Sequence, residues 1–76
     1  MQIKYAISLG GVGVSLTEDE NGNQTLDLYD TEEEAEAEIL DCEADDWWVE
    51  PVVQVDGNDW YGKHCGTNFS RMAREQ

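Results

Sequence analysis

The stretch DTEEEAEAEILDCE, residues 30–43, decides the fold, because it carries the clearest helix start in the chain. Thr31 followed three residues later by Glu34 is a capping box, whose two side chains bond to backbone N–H groups at a helix start. Negative side chains at this end also suit the positive end of the helix dipole. The pattern predicts a helix from about Glu32 to about Glu43.

The predicted helix has a narrow apolar side. Ala35, Ile39 and Cys42 recur at the i, i+4 and i+7 positions of one helical face, and Leu40 lies beside them. Cys42 is expected there as a small core residue with a free thiol. The rest of the circumference is acidic, so the helix should pack along a narrow seam and show water a broad anionic face.

Strands are predicted before and after this helix in the sequence. Alternating residues in 3–9, with Ile3, Tyr5, Ile7 and Leu9 on one face, are typical of a half-buried strand. The Asn21-Gly22 pair tolerates the positive φ of a type I′ turn, which predicts a hairpin between strands near 12–16 and 24–29. After the helix, residues 47–55 have the composition of another strand.

Two features indicate where the predicted sheet ends. Pro51 cannot donate a hydrogen bond, so its strand is expected at an edge or with a bulge. A short strand at 59–61 follows, and the tail, 62–76, is expected to be either flexible or helical near Phe69 to Ala73. The sequence therefore predicts one α+β domain over 1–76: a small antiparallel β-sheet of about four strands with one acidic helix packed on a face.

Charge is the most informative property of the chain. It has 76 residues, of which 18 are acidic and 4 basic, and its net charge is −14. All the acidic residues except Glu75 lie in the range 17–59, which contains no Lys or Arg. Solvated surfaces normally mix both signs, because a field of one sign is self-repulsive and serves mainly to steer partners. Ordinary solvation does not account for this block, whereas adaptation to high salt would.

The sequence also indicates where in the cell the protein is located. No apolar run approaches the ~20 residues that cross a bilayer, and the first residues lack the pattern of a secretory signal. We therefore expect a soluble, cytoplasmic protein. Cys42 and Cys65 allow at most one disulfide, whereas a secreted domain of this size would carry several, so both are expected as thiols.

Motifs for metal binding or catalysis are incomplete. The carboxylates and amides that fall at ligand positions of a calcium loop are Asp19, Asn21, Asn23, Asp27 and Asp30. This loop lacks the glycine at its sixth position and the glutamate at its twelfth. Cys42, His64 and Cys65 do not complete a zinc site, and no third group orients a Cys-His nucleophile. We therefore expect no cofactor, no metal and no enzymatic activity.

The acidic residues suggest a binding surface. On the predicted helix, Glu34, Glu38, Asp41 and Asp45 follow i, i+4, i+7 and i+11, a ladder that rises ~6 Å per step. Phosphates along one DNA strand have a comparable spacing, ~3.4 Å along the axis plus the sideways winding. Adjacent Trp47 and Trp48 must face opposite ways on a strand, which leaves one as an interface anchor. The predicted partner-binding residues are Glu32, Glu34, Glu38, Asp41, Asp45, Asp46 and Trp48.

In size, acidity, lack of a catalytic motif and order of strands and acidic helix, the chain resembles small inhibitors from bacteriophages and mobile elements, such as anti-CRISPR proteins and other DNA mimics. The resemblance covers the overall profile and carries no residue role across. We expect a monomer or small homo-oligomer, and the resemblance implies a bacterial cytoplasm as its location. The partner would be a basic nucleic-acid-binding protein, such as a CRISPR effector complex, without direct binding of nucleic acid or membrane.

Two other functions remain open from the sequence. The first is an acidic interaction or structural protein, of halophilic type, whose charge serves solubility. The second is a protein that binds metal through carboxylates.

Overall fold

The computed structural model describes residues 2–10, 13–55 and 57–76, and it shows an α+β fold. The strands are β1 (Ile3–Ser8), β2 (Leu16–Glu18), β3 (Gln24–Leu26), β4 (Trp48–Gln54) and β5 (Trp60–Gly62), and the helices are α1 (Glu32–Asp41) and α2 (Phe69–Glu75). The predicted class is confirmed, but the strands form two antiparallel sheets instead of one, with orders β1-β4-β5 and β2-β3. Gly11 of the predicted glycine turn and Val12 of the predicted second strand lie outside the described residues.

β1 is hydrogen-bonded along both edges. On one edge it pairs antiparallel with β4, from Ile3 opposite Val53 to Ser8 opposite Trp48. On the other edge Tyr5 exchanges two backbone hydrogen bonds with Tyr29, at 2.9 and 2.8 Å, and the Ile7 carbonyl accepts from Ser15 N–H at 3.0 Å. The chain that flanks the β2–β3 hairpin therefore covers an edge that would otherwise be open to pairing with other chains.

Pro51 lies in β4, the central strand of its sheet, so the predicted edge position is wrong. Both backbone groups of Tyr5 face Tyr29, and the opposed Tyr5–Pro51 pair therefore carries no hydrogen bond between β1 and β4. The backbone nitrogen of Pro51, which has no hydrogen to donate, faces Lys63, the first residue beyond β5. The Lys63 N–H still donates to the Pro51 carbonyl at 2.8 Å. The proline is tolerated because its missing N–H falls at the end of the β4–β5 pairing.

One face of the three-stranded sheet carries the main core. Ala6 and Val52 are fully buried there, against Phe69 and Ala73 of α2. Val14 joins this cluster, and the leucines of the hairpin region that pack against it are Leu16, Leu26 and Leu28. The sequence predicted neither this second layer nor the burial of Ala6, because alternation in β1 assigned the polar face to that side.

The opposite face of the sheet is covered by α1. Strand alternation places Ile7 on this side, where it is fully buried, and α1 contacts β1 and β4 with Ala35 as its buried residue. Ile3, on the same face at the start of the strand, stays 38% exposed. The predicted packing of the acidic helix on a sheet face is therefore present, with a narrower seam than expected.

The C-terminal segment is ordered by α2, which is the helical alternative predicted for the tail. Asn68 caps it, because its Oδ1 accepts from Arg71 N–H at 2.9 Å while its Nδ2 donates to Asp59 at 3.0 Å. Arg74 donates to both carboxylate oxygens of Asp59, at 3.1 and 3.2 Å. The Gln76 amide bonds to both backbone groups of Val14. These contacts join α2 to the sheet and to the hairpin.

The predicted hairpin is present, but its turn is not type I′. Asp19 C=O accepts from Gly22 N–H at 3.1 Å, and Asp19 N–H donates to Asn23 C=O at 2.9 Å. Gly22 has a φ of 82°, and Asn21 is not in the positive-φ region. This is a three-residue loop with a type I turn and a glycine bulge. The longer loop forms because the Asp19 carboxylate accepts from Asn21 and Asn23 N–H, both at 2.9 Å.

The predicted start of α1 is confirmed and its predicted end is wrong. The Thr31 hydroxyl accepts from Glu34 N–H at 3.2 Å. The helix stops at Asp41, because Glu43 takes a φ of 53° and donates to Leu40 C=O at 3.1 Å. Ala44 N–H reaches Ile39 C=O at 3.3 Å, which completes a Schellman motif. The left-handed position of that motif is usually a glycine, and its occupation by glutamate explains why the sequence did not show the end.

The strained Glu43 yields a stability prediction. Replacing Glu43 with glycine should raise the free energy of unfolding by about 1 kcal/mol, because only glycine takes the left-handed conformation without a steric penalty. Glu43→Ala is the matched control, since it removes the same charge and keeps the strain. Urea unfolding of both variants measures the difference. Equal stabilisation by alanine would assign the gain to charge and contradict the backbone argument.

Asp59 yields a pH prediction. Hydrogen bonds from Arg74, and then from Asn68, lower the pKa of Asp59 in the folded protein. Its contribution to stability is therefore present above the ordinary aspartate pKa of ~3.9 and is lost as the pH falls through the lower folded value. The difference in melting temperature between the original chain and Arg74→Gln should be largest near neutral pH and should shrink below pH ~3.9.

The control for this prediction is Arg71→Gln, because Arg71 pairs with Glu75 at 3.0 Å instead of with Asp59. Titration by NMR should show the pKa of Asp59 rising in Arg74→Gln and unchanged in Arg71→Gln. A melting difference that persists undiminished at acid pH would show that Arg74 stabilises the fold through packing alone.

Candidate acidic binding surface

The exposed surface of α1 is covered with carboxylates. We call it the acidic face, and its residues are Glu32, Glu33, Glu34, Glu36, Glu38 and Asp41. All six are exposed. Within the described ranges none of them forms an ion pair, because the pairs there join Lys4 to Asp30, Arg71 to Glu75 and Arg74 to Asp59. The acidic face therefore presents uncompensated negative charge.

The predicted ladder of carboxylates is shorter than expected. Glu34, Glu38 and Asp41 lie on α1, over a rise of about 10 Å. The placement of Asp45 on the helix is wrong, because the left-handed Glu43 turns the chain away after Asp41. Asp45 is exposed in the connection to β4, near the acidic face in sequence but not in line with it.

Asp46 lies in the same connection and is exposed. A methyl group on Gly10 would come within 2.8 Å of the Asp46 carbonyl oxygen and 3.0 Å of its carboxylate. The close approach of Gly10 therefore holds Asp46 beside the loop that follows β1. Its carboxylate lies beside Gly10 and not on α1.

The acidic residues at the end of α1 do not stabilise the helix. Glu32 and Glu34 lie in the first turn, where negative charge is favourable, but Glu38 and Asp41 lie towards the negative end of the dipole. The last turn has no basic residue. Glu34 and Glu38 are also like charges at i and i+4, which repel each other. Helix stability therefore accounts for the first-turn acids and does not account for the others.

The pKa of the Cys42 thiol responds to the negative charge at this end of the helix. It caps α1 and is exposed, so the expectation of a core thiol is wrong. Its Sγ lies 3.8 Å from a Glu38 carboxylate oxygen. Desolvation raises the pKa of the thiol, and the negative charges of Glu38 and Asp41 raise it further. The thiol form is thus favoured, which lowers the reactivity of this cysteine at neutral pH.

An apolar groove borders the acidic face. Trp48 is 51% exposed and Leu40 is 78% exposed, and both line a cavity of about 440 Å³ between α1 and the start of β4. We call this cavity the α1–β4 groove. Its lining residues are Glu32, Glu36, Ile39, Leu40, Trp47, Trp48 and Val49. Of the two adjacent tryptophans, Trp48 is the more exposed, since Trp47 is half-buried. The role of Leu40 was not predicted, because the sequence placed it beside the core seam.

The residues considered for metal binding have other roles in the structure. One carboxylate oxygen of Asp19 accepts two backbone N–H groups of its turn, Asp27 accepts from the Tyr29 hydroxyl at 2.6 Å, and Asp30 pairs with Lys4. Across residues 2–10, 13–55 and 57–76, no three His, Cys, Asp or Glu side chains are grouped so that they could hold a metal ion.

Glu50 is the one buried acid among the described residues, and the sequence did not distinguish it from the others. It is 8% exposed, on the sheet face that α2 covers, and its carboxylate accepts from His64 N–H at 3.1 Å. A methyl group on Gly62 would meet both Glu50 and the Cys65 sulfur. Glu50 therefore holds the turn after β5 and is not part of the acidic face.

The field at the end of α1 can be measured through Cys42. Glu38→Gln should lower the pKa of the Cys42 thiol and speed its alkylation by iodoacetamide at neutral pH, because the thiolate is the reactive form. Glu18→Gln in the hairpin is the matched control, and it should leave the rate unchanged. Mass spectrometry of the Cys42 peptide separates its reaction from that of Cys65. Equal rates in all three proteins would show that Glu38 does not set the reactivity of this thiol.

Neither helix in the described part of the chain is long and apolar enough to cross a membrane. Comparisons of the chain with protein families, with curated proteins and with solved structures found no match.

Proposed function

We propose that this chain is a non-enzymatic inhibitor that binds the basic, nucleic-acid-binding surface of a cytoplasmic partner protein and excludes nucleic acid from it. The observation that carries the proposal is the acidic face itself. Its carboxylates are exposed on one rigid helix, and the described structure gives them no cationic partner. A surface of this kind is complementary to a groove lined with Lys and Arg.

The arrangement of charge favours a nucleic-acid-binding groove over other basic surfaces. Glu34, Glu38 and Asp41 form a short line of negative charge on a fixed backbone, as phosphates do along one strand. A groove that binds phosphates by their charge and spacing would also accept this line. The partner's affinity for the chain should then fall with added salt, as its affinity for nucleic acid does.

The position of the charges supports a role outside folding. Glu38 and Asp41 oppose the helix dipole, so their presence lowers the stability of α1. Residues that reduce stability and remain exposed are best explained by a contact that the isolated chain does not make. The resemblance in overall profile to anti-CRISPR proteins names a CRISPR effector complex as the first partner to test.

One observation favours a second function, in which charge serves solubility as in halophilic proteins. Glu18, Asp19 and Glu20 are also exposed, on the hairpin, which packs on the other side of the sheet from α1. Acidity is therefore not confined to the helix. This alternative requires no partner and no difference between the two acidic regions, so a comparison of matched charge reversals separates the two functions.

The test compares two variants with the same change in net charge. Glu38→Lys with Asp41→Lys reverses the acidic face, and Glu18→Lys with Glu20→Lys reverses the hairpin. The helix variant should weaken binding to a CRISPR effector complex by at least about tenfold and restore its binding to a labelled DNA duplex. The hairpin variant should compete with the duplex nearly as well as the original chain. Fluorescence anisotropy of the duplex is the measurement.

The helix variant should also keep or raise the melting temperature, because Lys suits the negative end of the helix dipole. A loss of inhibition therefore could not be assigned to unfolding. Two results would contradict the proposal: simultaneous binding of the chain and the duplex to the partner, or equal inhibition by the original chain and the helix variant. A chain that inhibits none of a set of basic nucleic-acid-binding proteins and folds only in molar salt would support the halophilic alternative.

A further inference from the structure

The side of the three-stranded sheet that carries α1 is only partly covered. Strand register places Ile3, Ile7, Pro51 and Val53 on this side, and Tyr61 joins them because it lies opposite Val53. The helix makes its main contacts with β1 and β4, and Ile7 is fully buried. Ile3 is 38% exposed, while Pro51, Val53 and Tyr61 are half-buried. We call this uncovered part the open sheet face, and its residues are Ile3, Pro51, Val53 and Tyr61.

The chain leaves this apolar surface in contact with water although its core is small. The largest fully buried side chains are Ile7, Val14 and Val52. The three tryptophans and three tyrosines all lie in described segments, and each of them is half-buried or exposed. Aromatic side chains have the largest area to bury, and small domains commonly gain by association the burial that a small core lacks. Covering the open sheet face would therefore stabilise this fold.

The open sheet face has charges of opposite sign at its two margins. The Lys63 N–H donates to the Pro51 carbonyl at 2.8 Å, so the β4–β5 pairing continues to Lys63, and its side chain alternates to the same side as that of Tyr61. In the part of the chain that the structure describes, Lys63 is exposed and is the one Lys or Arg without an ion pair. At the other margin, the exposed Glu32 and Glu36 lie on the side of α1 that borders β4.

We infer that the open sheet face is a homodimer interface, in which the open sheet faces of two copies pack together and Lys63 of each copy pairs with Glu36 of the other. This inference goes beyond the proposed function and does not depend on it. A two-fold axis brings the same surface of both copies together. Packed sheets lie ~10 Å apart, so α1, which rises above this side of its own sheet, comes beside β5 of the other copy.

Charge selects a second copy over other occupants. A basic segment would meet Lys63, and nucleic acid or anionic lipid would meet Glu32 and Glu36. The net charge of −14 opposes association of two copies. At ~0.1 M salt, however, the Debye length is ~10 Å, which screens the acids of the hairpin on the other side of the sheet. A second copy supplies an apolar face, a cation and acids in matching positions.

Sedimentation equilibrium of the full chain measures this association. We expect a dimer of about 17 kDa, twice the 8.6 kDa of the chain. Added salt should tighten the dimer, because it screens the repulsion between two acidic chains. Salt should have the opposite effect on a complex with a basic protein, so the two kinds of binding are distinguishable. A chain that stays monomeric at millimolar concentration in high salt would overturn the inference.

A charge swap locates the contact. Lys63→Glu should weaken the dimer at least about tenfold, because the two-fold axis applies the change twice and places like charges together. Adding Glu36→Lys to this variant should restore most of the affinity, since the pair forms again with its signs exchanged. Adding Glu18→Lys instead is the matched control, because it changes the net charge equally on the hairpin and should restore little. Equal recovery in both double variants would assign the effect to net charge and contradict the interface.

The apolar part of the interface is tested by two serine substitutions. Ile3→Ser should weaken the dimer about tenfold, because an apolar side chain is lost from both copies. Trp48→Ser is the matched control: Trp48 is 51% exposed, and its register with Ser8 directs its side chain to the α2 side of the sheet. It should leave the dimer unchanged. Circular dichroism checks that both variants fold. An unchanged dimer in a folded Ile3→Ser variant, or a dimer that only Trp48→Ser dissociates, would place the contact elsewhere and overturn the inference.

Discussion

The hydrogen bonding of β1 along both edges is the constraint on which the rest of the structure depends. One edge pairs with β4, and the other bonds to Ser15 and Tyr29, which flank the hairpin. A single strand thus joins the two sheets and fixes where the chain enters α1, three residues after Tyr29. With β1 hydrogen-bonded in this way, α1 covers one face of the three-stranded sheet and α2 covers the other.

The position of the acidic face follows from the two ends of α1. Thr31 starts the helix next to the strand pairing at Tyr29, and the left-handed Glu43 ends it and turns the chain back towards the sheet. The return brings Trp47 and Trp48 beside Ile39 and Leu40, which creates the groove. The acidic face and the groove are therefore adjacent, since the helix ends at the left-handed Glu43. A longer helix would have carried Asp45 in line and would have moved the tryptophans away from Leu40.

Local signals in the sequence were predictive, and long-range ones were not. The Thr31 cap and the hairpin at Asn21-Gly22 depend on neighbours a few residues apart, so their positions were predicted. Pro51 in a central strand depends on which residue lies opposite it in β1 and where β5 ends, and the sequence shows neither. The exposure of Cys42 depends on where α1 stops, which a glutamate in a position typical of glycine concealed. For the site, residue types were predictable, but the groove was not, since it forms between segments that only the fold brings together.

The physical argument for binding lies in the difference between the two acidic regions. On the hairpin, the Asp19 carboxylate accepts two backbone N–H groups of the turn, so a structural role explains its negative charge. On α1, Glu38 and Asp41 have no such role and oppose the dipole of the helix that carries them. A small domain has little stability in reserve, so charges that lower it are retained at a cost to the fold. Solubility alone would be served equally well by acids at any exposed position. The exposed carboxylates of α1, together with the exposed Leu40 on the same helix, are therefore the feature on which the proposal of a binding surface rests.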